Sequence, residues 1–347
     1  MPTTAAAFDW RDKVVLVTGG TGTFGQAFTR FLLESEPIGA IRIFSRDELK
    51  QSEFARRVKD DRIRLLLGDV RDRDRLHRAM DGVDVVVHAA ALKQVPLCEY
   101  NPFEAVKTNI LGAENVIDAA IDRHVGRVIA LSTDKAANPI NLYGATKLCA
   151  EKLVVQGNAY VGAGATLFSC VRYGNVAASR GSVVPLFIEQ RTSGRITLTD
   201  KRMTRFWITV GEAVRFVKTC VESMHGGEIF VPRLPSVRTA ELAAAVAPEA
   251  KIDEVGVRPG EKLHEVLVTV DESRHTLDLG DFFVIQPQHP WWSREPWSAG
   301  RSMQAERAYA SDTNDRWLSV ADITKVLPRA LSEASHYEAT VLASAAE

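Results

Sequence analysis

A short apolar run, Val14-Val15-Leu16-Val17, ends in Thr18-Gly19-Gly20-Thr21-Gly22-Thr23-Phe24-Gly25, and a helical pattern follows to about Leu33. This strand–turn–helix order constrains the fold more than any other feature of the chain. Gly19, Gly22 and Gly25 allow a tight turn, close approach of the backbone to a pyrophosphate, and packing of the helix on the sheet. Together with Thr21, Thr23 and Phe24 they would place the amide-rich start of a helix against an anion. The glycine spacing alone is a weak signal. The strand before it and the helix after it make a nucleotide-binding turn the expected reading.

The same alternation continues. Strand-like runs at Ile41–Phe44, Ile63–Leu67, Val83–His88, Val128–Ser132 and Thr166–Tyr173 are separated by helical patterns at Glu48–Val58, Asp72–Met80, Phe103–Arg123 and Tyr143–Tyr160. Continuous apolar strands between helices imply a parallel sheet covered on both faces. The fold class is therefore α/β, a doubly wound (Rossmann) sheet with a smaller C-terminal substrate-binding lobe. The expected divisions are a poorly ordered N-terminus over 1–12, a dinucleotide-binding domain over 13–175, a lobe interleaved with the main sheet over 176–285, and an irregular and helical extension over 286–347. The extension carries Trp291, Trp292 and Trp297 among prolines, a pattern that suits packing across the body or an interface.

Composition narrows the function classes. Hydrophobic residues make up 46% and charged residues 25%, with a net charge of -1, so nothing draws the chain to nucleic acid or an anionic membrane. No apolar run is long enough to span a bilayer. Cys98, Cys149, Cys170 and Cys220 form no metal spacing and read as free thiols of a reducing cytoplasm.

Further residues read as cofactor contacts. The second strand ends at Ser45-Arg46, with Lys50 one helical turn beyond. A site for NAD usually places a carboxylate there, so a hydroxyl and a guanidinium favour the 2′-phosphate of NADP. Asp69 and Val70 suit an adenine edge. Ala89, Ala90 and Ala91 would let a cofactor approach closely, and Lys93 follows them. Tyr143 and Lys147 are four apart and share one helix face. The lysine can hold a nicotinamide ribose and lower the phenol's pKa. Thr133, Asp134 and Lys135 lie just upstream, adding an acid and an amine beyond what hydride transfer needs.

Phe44–Gln51, His88–Pro96, Ser132–Lys147, Arg172–Asn175, Ser179–Ser182, Met203–Trp207 and Arg258–Lys262 resemble the extended short-chain dehydrogenase/reductase superfamily. More narrowly they resemble its inverting UDP-N-acetylglucosamine 4,6-dehydratases, from about Lys13 to at least Asp271. The Asp134-Lys135-Ala136 variant is specific, since retaining dehydratases usually carry Asp-Glu there and 4-epimerases neither. The resemblance implies oxidation at sugar C4 with Tyr143 as base, Lys147 orienting NADP and Thr133 bonded to the same oxygen. It further implies removal of the C5 proton by Lys135, loss of water from C6 with Asp134 as acid, and hydride return to C6. Locally, Lys135 can equally be a salt-bridge partner of Asp134. The resemblance also assigns Lys93, Asn175, Arg180, Thr199, Arg205, Arg258 and Glu261 to a UDP-sugar, Val176 to the cofactor, and a homo-oligomeric state. Ala177-Ala178 departs from the valine and glycine common at that place in relatives. A UDP-sugar 4-epimerase or a cofactor-sensing scaffold without turnover are the other readings.

Overall fold

The computed structural model describes residues 8–161, 166–179, 181–289, 292–293 and 295–338. Six parallel strands form the frame: β1 (Val14–Thr18), β2 (Ala40–Ser45), β3 (Ile63–Leu67), β4 (Val85–His88), β5 (Arg127–Leu131) and β6 (Leu167–Val171). They stand in the order β3-β2-β1-β4-β5-β6. The strand order reverses between β1 and β4, and ligands of such sheets bind at the carboxyl ends of the strands there. Val15–Val17, Val85–Val87 and Val128–Ile129 are fully buried, which explains why the strands read as unbroken apolar runs.

The sheet continues past β6. The strand Ile229–Pro232 adds in parallel, and Phe282–Ile285, Thr276–Asp278 and Arg301–Ser302 then add antiparallel, giving ten strands. The tryptophan-rich extension packs against this part. Trp297 stacks edge-on to Phe230 and donates through Nε1 to Glu228 at 3.0 Å, and Trp292 Nε1 donates to the Gly226 carbonyl. Pro290 and Trp291 lie outside the described residues, as do 1–7 of the N-terminus.

A second, smaller core gathers Val184, Phe187, Ile196, Leu198, Leu242 and Val246 with Ile323, Ala330 and Ala334 of the last helix, Val320–Glu338. It includes Ala177 and Ala178, which lie between Val176 and Ser179 of the cleft described below.

The helix expected at Phe103–Arg123 is divided. Short helices at Val95–Tyr100 and Pro102–Val106 lead into a wide π-type turn, Lys107–Leu111, before Gly112–Asp122. Asn109 in that turn is buried and bridges to the Leu92 carbonyl and to Thr146 Oγ1, so the irregularity ties the β4 loop to the helix Leu142–Tyr160. Such turns recur at functional sites.

Candidate active site

At the glycine turn, Gly19 has φ +66° and its α-carbon abuts the Ala89–Ala90 backbone so closely that a β-carbon would lie 2.9 Å from Ala90. Gly22 precedes the helix Thr23–Ser35 with no side chain capping it and no carboxylate in its first turn, which leaves the positive end of the helix facing the cleft. The cleft has a volume of about 630 Å³. Every residue assigned to a cofactor from the sequence lines it: the glycine turn, Ser45, Arg46, Lys50, Asp69, Val70, Ala89–Ala91, Lys93, Tyr143, Lys147 and Val176. Three hydroxyls that sequence reasoning missed also line it, Thr108, Ser132 and Ser182. Their oxygens are buried without a hydrogen-bond partner among the described residues. Buried polar atoms of this kind call for a ligand, so the donor set fits a dinucleotide.

The adenosine end is more self-paired than the sequence suggests. Arg46 lies 3.5 Å from Asp69, and Arg71 donates to the same carboxylate at 2.7 Å. Burial opposes ionisation of Asp69, but the hydrogen bonds and charge of Arg71 outweigh it and hold the carboxyl below its ordinary range. Lys50 pairs with Asp47 at 2.8 Å.

The reactive end is built by two local signals. Asn141 caps the helix Leu142–Tyr160 by accepting from the Gly144 amide at 2.8 Å, worth about 1 kcal/mol for such a cap. Thr133 Oγ1 accepts from the Lys135 amide and donates to Asp134 Oδ1 at 2.9 Å, shaping the short turn Asp134–Ala136. Thr133, Lys135, Tyr143 and Lys147 line the cleft. Asp134 is 1% exposed, and its Oδ2 has no partner among the described residues. That oxygen lies 3.3 Å from the point where a β-carbon on Gly174 would stand, and Gly174 itself lines the cleft.

Lys135 Nζ lies 3.1 Å from Asp134 Oδ1 and 3.4 Å from Glu265 Oε1. Burial alone would lower the amine's pKa, but the two carboxylates raise it well above its usual value. Burial drives the Tyr143 phenol up to about 12, against the pull of the Lys135 charge and a hydrogen bond from Thr133. The cation acting on the phenol is thus Lys135, where the helical spacing pointed to Lys147. Lys147 itself, 5% exposed, has its pKa lowered by burial.

The residues assigned to the sugar nucleotide are scattered. Lys93 and Asn175 line the cleft. Arg205 turns inward, donating to the carbonyls of Thr204, Lys262 and Leu263. Arg258 is mostly exposed, 4.0 Å from Glu261, and Thr199 lies just past the strand Arg195–Leu198. None of these four lines the cleft. Arg180 lies outside the described residues. No group of three or more His, Cys, Asp or Glu suited to a metal occurs among the described residues.

The description of polysaccharide biosynthesis proteins matches residues 15–287. The chain belongs to that family. The chain is 46% identical over 324 residues to a UDP-N-acetylglucosamine 4,6-dehydratase (inverting) from Campylobacter jejuni, covering 91% of this chain and 97% of the relative. It is 44% identical over 282 residues to a UDP-glucose 4-epimerase from Rickettsia canadensis, covering 79% and 83%. The X-ray structure of Pen from Bacillus thuringiensis matches it with a TM-score of 0.85 at 38% identity, over 93% of this chain and 100% of that one. The fold of this family member is the doubly wound sheet described above, and no described helix is long and apolar enough to cross a membrane.

Proposed function

We propose that the protein dehydrates UDP-N-acetylglucosamine, or a close UDP-sugar, to a UDP-4-keto-6-deoxy-hexosamine with inversion at C5, as a configuration-inverting lyase that keeps its NADP through each turnover. The observation that carries this reading is the Asp134–Lys135 pair, 3.1 Å apart beside the Tyr143-lined cleft. The likeness to the Campylobacter jejuni dehydratase supports it. A bound nicotinamide dinucleotide supplies the site that accepts hydride from sugar C4 and returns it to C6.

Tyr143 takes the C4 hydroxyl proton, and Thr133 steadies the oxygen as the ketone forms. A high-lying phenol pKa makes a strong base once ionised, and the Lys135 charge stabilises that ionised form. The ketone makes the C5 hydrogen acidic. Lys135 must be neutral to remove it, and Asp134 must be protonated to release the C6 hydroxyl as water. One event satisfies both: the proton on Lys135 Nζ moves along the existing hydrogen bond to Asp134 Oδ1. Lys135 then takes the C5 proton and Asp134 gives its proton to the departing hydroxyl. The pair returns to ammonium and carboxylate. When hydride returns to C6, C5 takes up a proton on its opposite face, which gives the inversion, and release of the proton that Tyr143 took from the C4 hydroxyl balances it, so the sum is loss of one water.

Binding of NADP in preference to NAD is supported by Ser45, Arg46 and Lys50 on the cleft wall. A cytoplasmic homo-oligomer, with Arg180 and Arg258 brought to the diphosphate and Glu261 to a ribose hydroxyl when substrate binds, belongs to the same proposal.

Mass spectrometry and proton NMR of the purified protein with UDP-N-acetylglucosamine test the reading. Loss of one water, no consumption of added NADPH, and deuterium at C5 in deuterated water are expected. A C4 epimer of unchanged mass would instead make the protein an epimerase, the activity named for the Rickettsia canadensis relative. Cofactor binding with every UDP-sugar unchanged would make it a scaffold. Lys135→Met should abolish water loss, and a variant working at the parental rate refutes the role of the amine.

A further inference from the structure

Two carboxylates from distant parts of the chain meet one amine beneath the cleft. Asp134 comes from the turn after β5. Glu265 immediately precedes the strand Val266–Val268, 130 residues past Lys135. Glu265 is 2% exposed, and its main chain is held from both sides. Its amide donates to Ser311 Oγ at 2.9 Å, and the Ser311 amide donates to its carbonyl at 2.8 Å. Glu265 Oε1 reaches Lys135 Nζ at 3.4 Å and lies 3.6 Å from Arg205 Nε. Its Oε2 is buried with no hydrogen-bond partner among the described residues. Lys135 faces the cleft and Glu265 does not, so Glu265 can act on a ligand only through Lys135.

We propose that Glu265 is a positioning residue that holds the Lys135 amine against Asp134 and governs how readily that amine gives up its proton. The inference rests on the dehydratase reading for its catalytic meaning. The groups facing Lys135 are Asp134, Glu265, Arg205, Lys262 and the Tyr143 phenol. Of the two cations, Arg205 gives its terminal nitrogens to three carbonyls and keeps only Nε near Glu265, at 3.6 Å, and Lys262 Nζ is held by the Ala137 carbonyl at 2.5 Å. Asp134 and Glu265 are therefore the anions that decide the state of the amine. Asp134 also receives the proton in the proposed transfer. Glu265 opposes that transfer by its charge and directs it by its position, since an amine held from one side presents its remaining hydrogens to Asp134 and the cleft.

The charge at 265 can be removed with little change of shape. In Glu265→Gln the amide oxygen still accepts from Lys135, but the ammonium loses one stabilising anion. The full-length protein is labelled with acetic anhydride at one fixed pH, and acetylation of Lys135 is measured against exposed Lys201 by mass spectrometry. Only a neutral amine reacts, so Glu265→Gln is expected to raise the Lys135/Lys201 ratio at least about tenfold, equivalent to one pKa unit. Glu265→Asp draws the carboxylate back by one methylene and is expected to raise the ratio by a smaller step. It serves as the reading if Glu265→Gln does not fold. An unchanged ratio in a folded variant overturns the proposal. In turnover, the acidic limb of the dehydration rate should move to lower pH in Glu265→Gln, whereas a purely structural role would lower the rate evenly at all pH. If the ratio rises while the unaltered protein dehydrates no UDP-sugar, the dehydratase reading fails and the assignment of Glu265 stands. If dehydration occurs and the ratio does not move, the opposite holds.

Discussion

Gly144 is pressed against Lys135. A β-carbon on Gly144 would overlap the Lys135 carbonyl oxygen and come within 2.9 Å of its carbonyl carbon. The helix bearing Tyr143 and Lys147 is thus seated directly on the turn bearing Asp134 and Lys135, and the base pair and the acid–amine pair are fixed relative to each other by one missing side chain.

Gly144→Ala tests that seating. The added carbon has backbone on its other side, so the helix or the turn must shift, at a cost of about 1–3 kcal/mol typical of overpacking. Urea denaturation should show a lower midpoint with an unchanged slope. Dehydration should fall at least tenfold with a smaller loss of cofactor affinity, because the shift reaches Tyr143 and Lys147 on the same helix while the glycine turn at Gly19–Gly25 belongs to a different element. A rate equal to the parent's would mean that the two pairs need no mutual register.

What could be read from the sequence follows the range of the interactions. β1–β6 and the cofactor cleft were legible because each rests on a local signal: apolar runs, the glycine turn, and the four-residue spacing of Tyr143 and Lys147. Glu265 carries no such signal, since its relation to Lys135 is a contact between segments 130 residues apart that only the tertiary fold makes. The inward turn of Arg205 was equally hidden, because it depends on carbonyls of a strap that only the tertiary fold brings near. The π-type turn at Lys107–Leu111 was missed because its apolar periodicity is that of an ordinary helix, and buried Asn109 is the one residue that betrays it.

Arg46→Ala should weaken NADP by about 10- to 100-fold, the worth of a charge-assisted hydrogen bond to a phosphate, and leave NAD nearly unaffected. Titration of intrinsic fluorescence with each cofactor reads both affinities. The pairing of Arg46 with Asp69 is exposed and long at 3.5 Å, so it competes weakly with a 2′-phosphate. Equal losses for the two cofactors would assign Arg46 to a shared part of the dinucleotide.

Ala178 occupies the left-handed region, with φ +59°, and is buried. This is the position where the family resemblance implies glycine. A β-carbon there costs about 1–2 kcal/mol in backbone energy, partly offset by the lower chain entropy of alanine when unfolded. Ala178→Gly should therefore raise the thermal midpoint by a small, measurable step. A fall would show that packing of the Ala178 methyl in the second core outweighs the backbone strain.

His88 gives the protein a pH-dependent stability. Burial lowers its pKa to about 3, with the Lys147 charge adding to the effect, and the ring is hydrogen-bonded to Thr18 Oγ1 at 2.7 Å. The unfolded chain binds a proton at this site below about pH 6.5 and the folded chain does not, so stability falls as pH drops from about 6.5 to 3. The slope from this residue is about 1.4 kcal/mol per pH unit. Urea midpoints across that range should show it, and His88→Gln should remove it. A slope of the same size in the variant would place the acid sensitivity elsewhere.

Arg172 joins the reactive helix to the second lobe. Its fully buried guanidinium donates to both Glu151 oxygens at 3.0 and 2.6 Å, to both Glu272 oxygens at 3.0 and 2.9 Å, and to the Leu267 carbonyl. Glu151 stands one helical turn past Lys147, and Glu272 lies in the short helix Val270–Ser273 that leads into the antiparallel strands Thr276–Asp278 and Phe282–Ile285. Burial opposes ionisation of Glu272, and the Arg172 charge and hydrogen bonds more than compensate, holding its pKa below the usual value. Arg172→Met would strand two buried carboxylates, at about 3–5 kcal/mol. Combining it with Glu151→Gln and Glu272→Gln should recover more than half of that loss, because the cost lies in the unpaired charges and not in the missing guanidinium. In Arg172→Met alone the Glu151 anion, no longer neutralised, would also raise the pKa of Lys147. Urea denaturation of the single and triple variants separates the two contributions. A triple variant no more stable than Arg172→Met alone would mean that the triad holds the fold by its geometry, and that charge compensation is secondary.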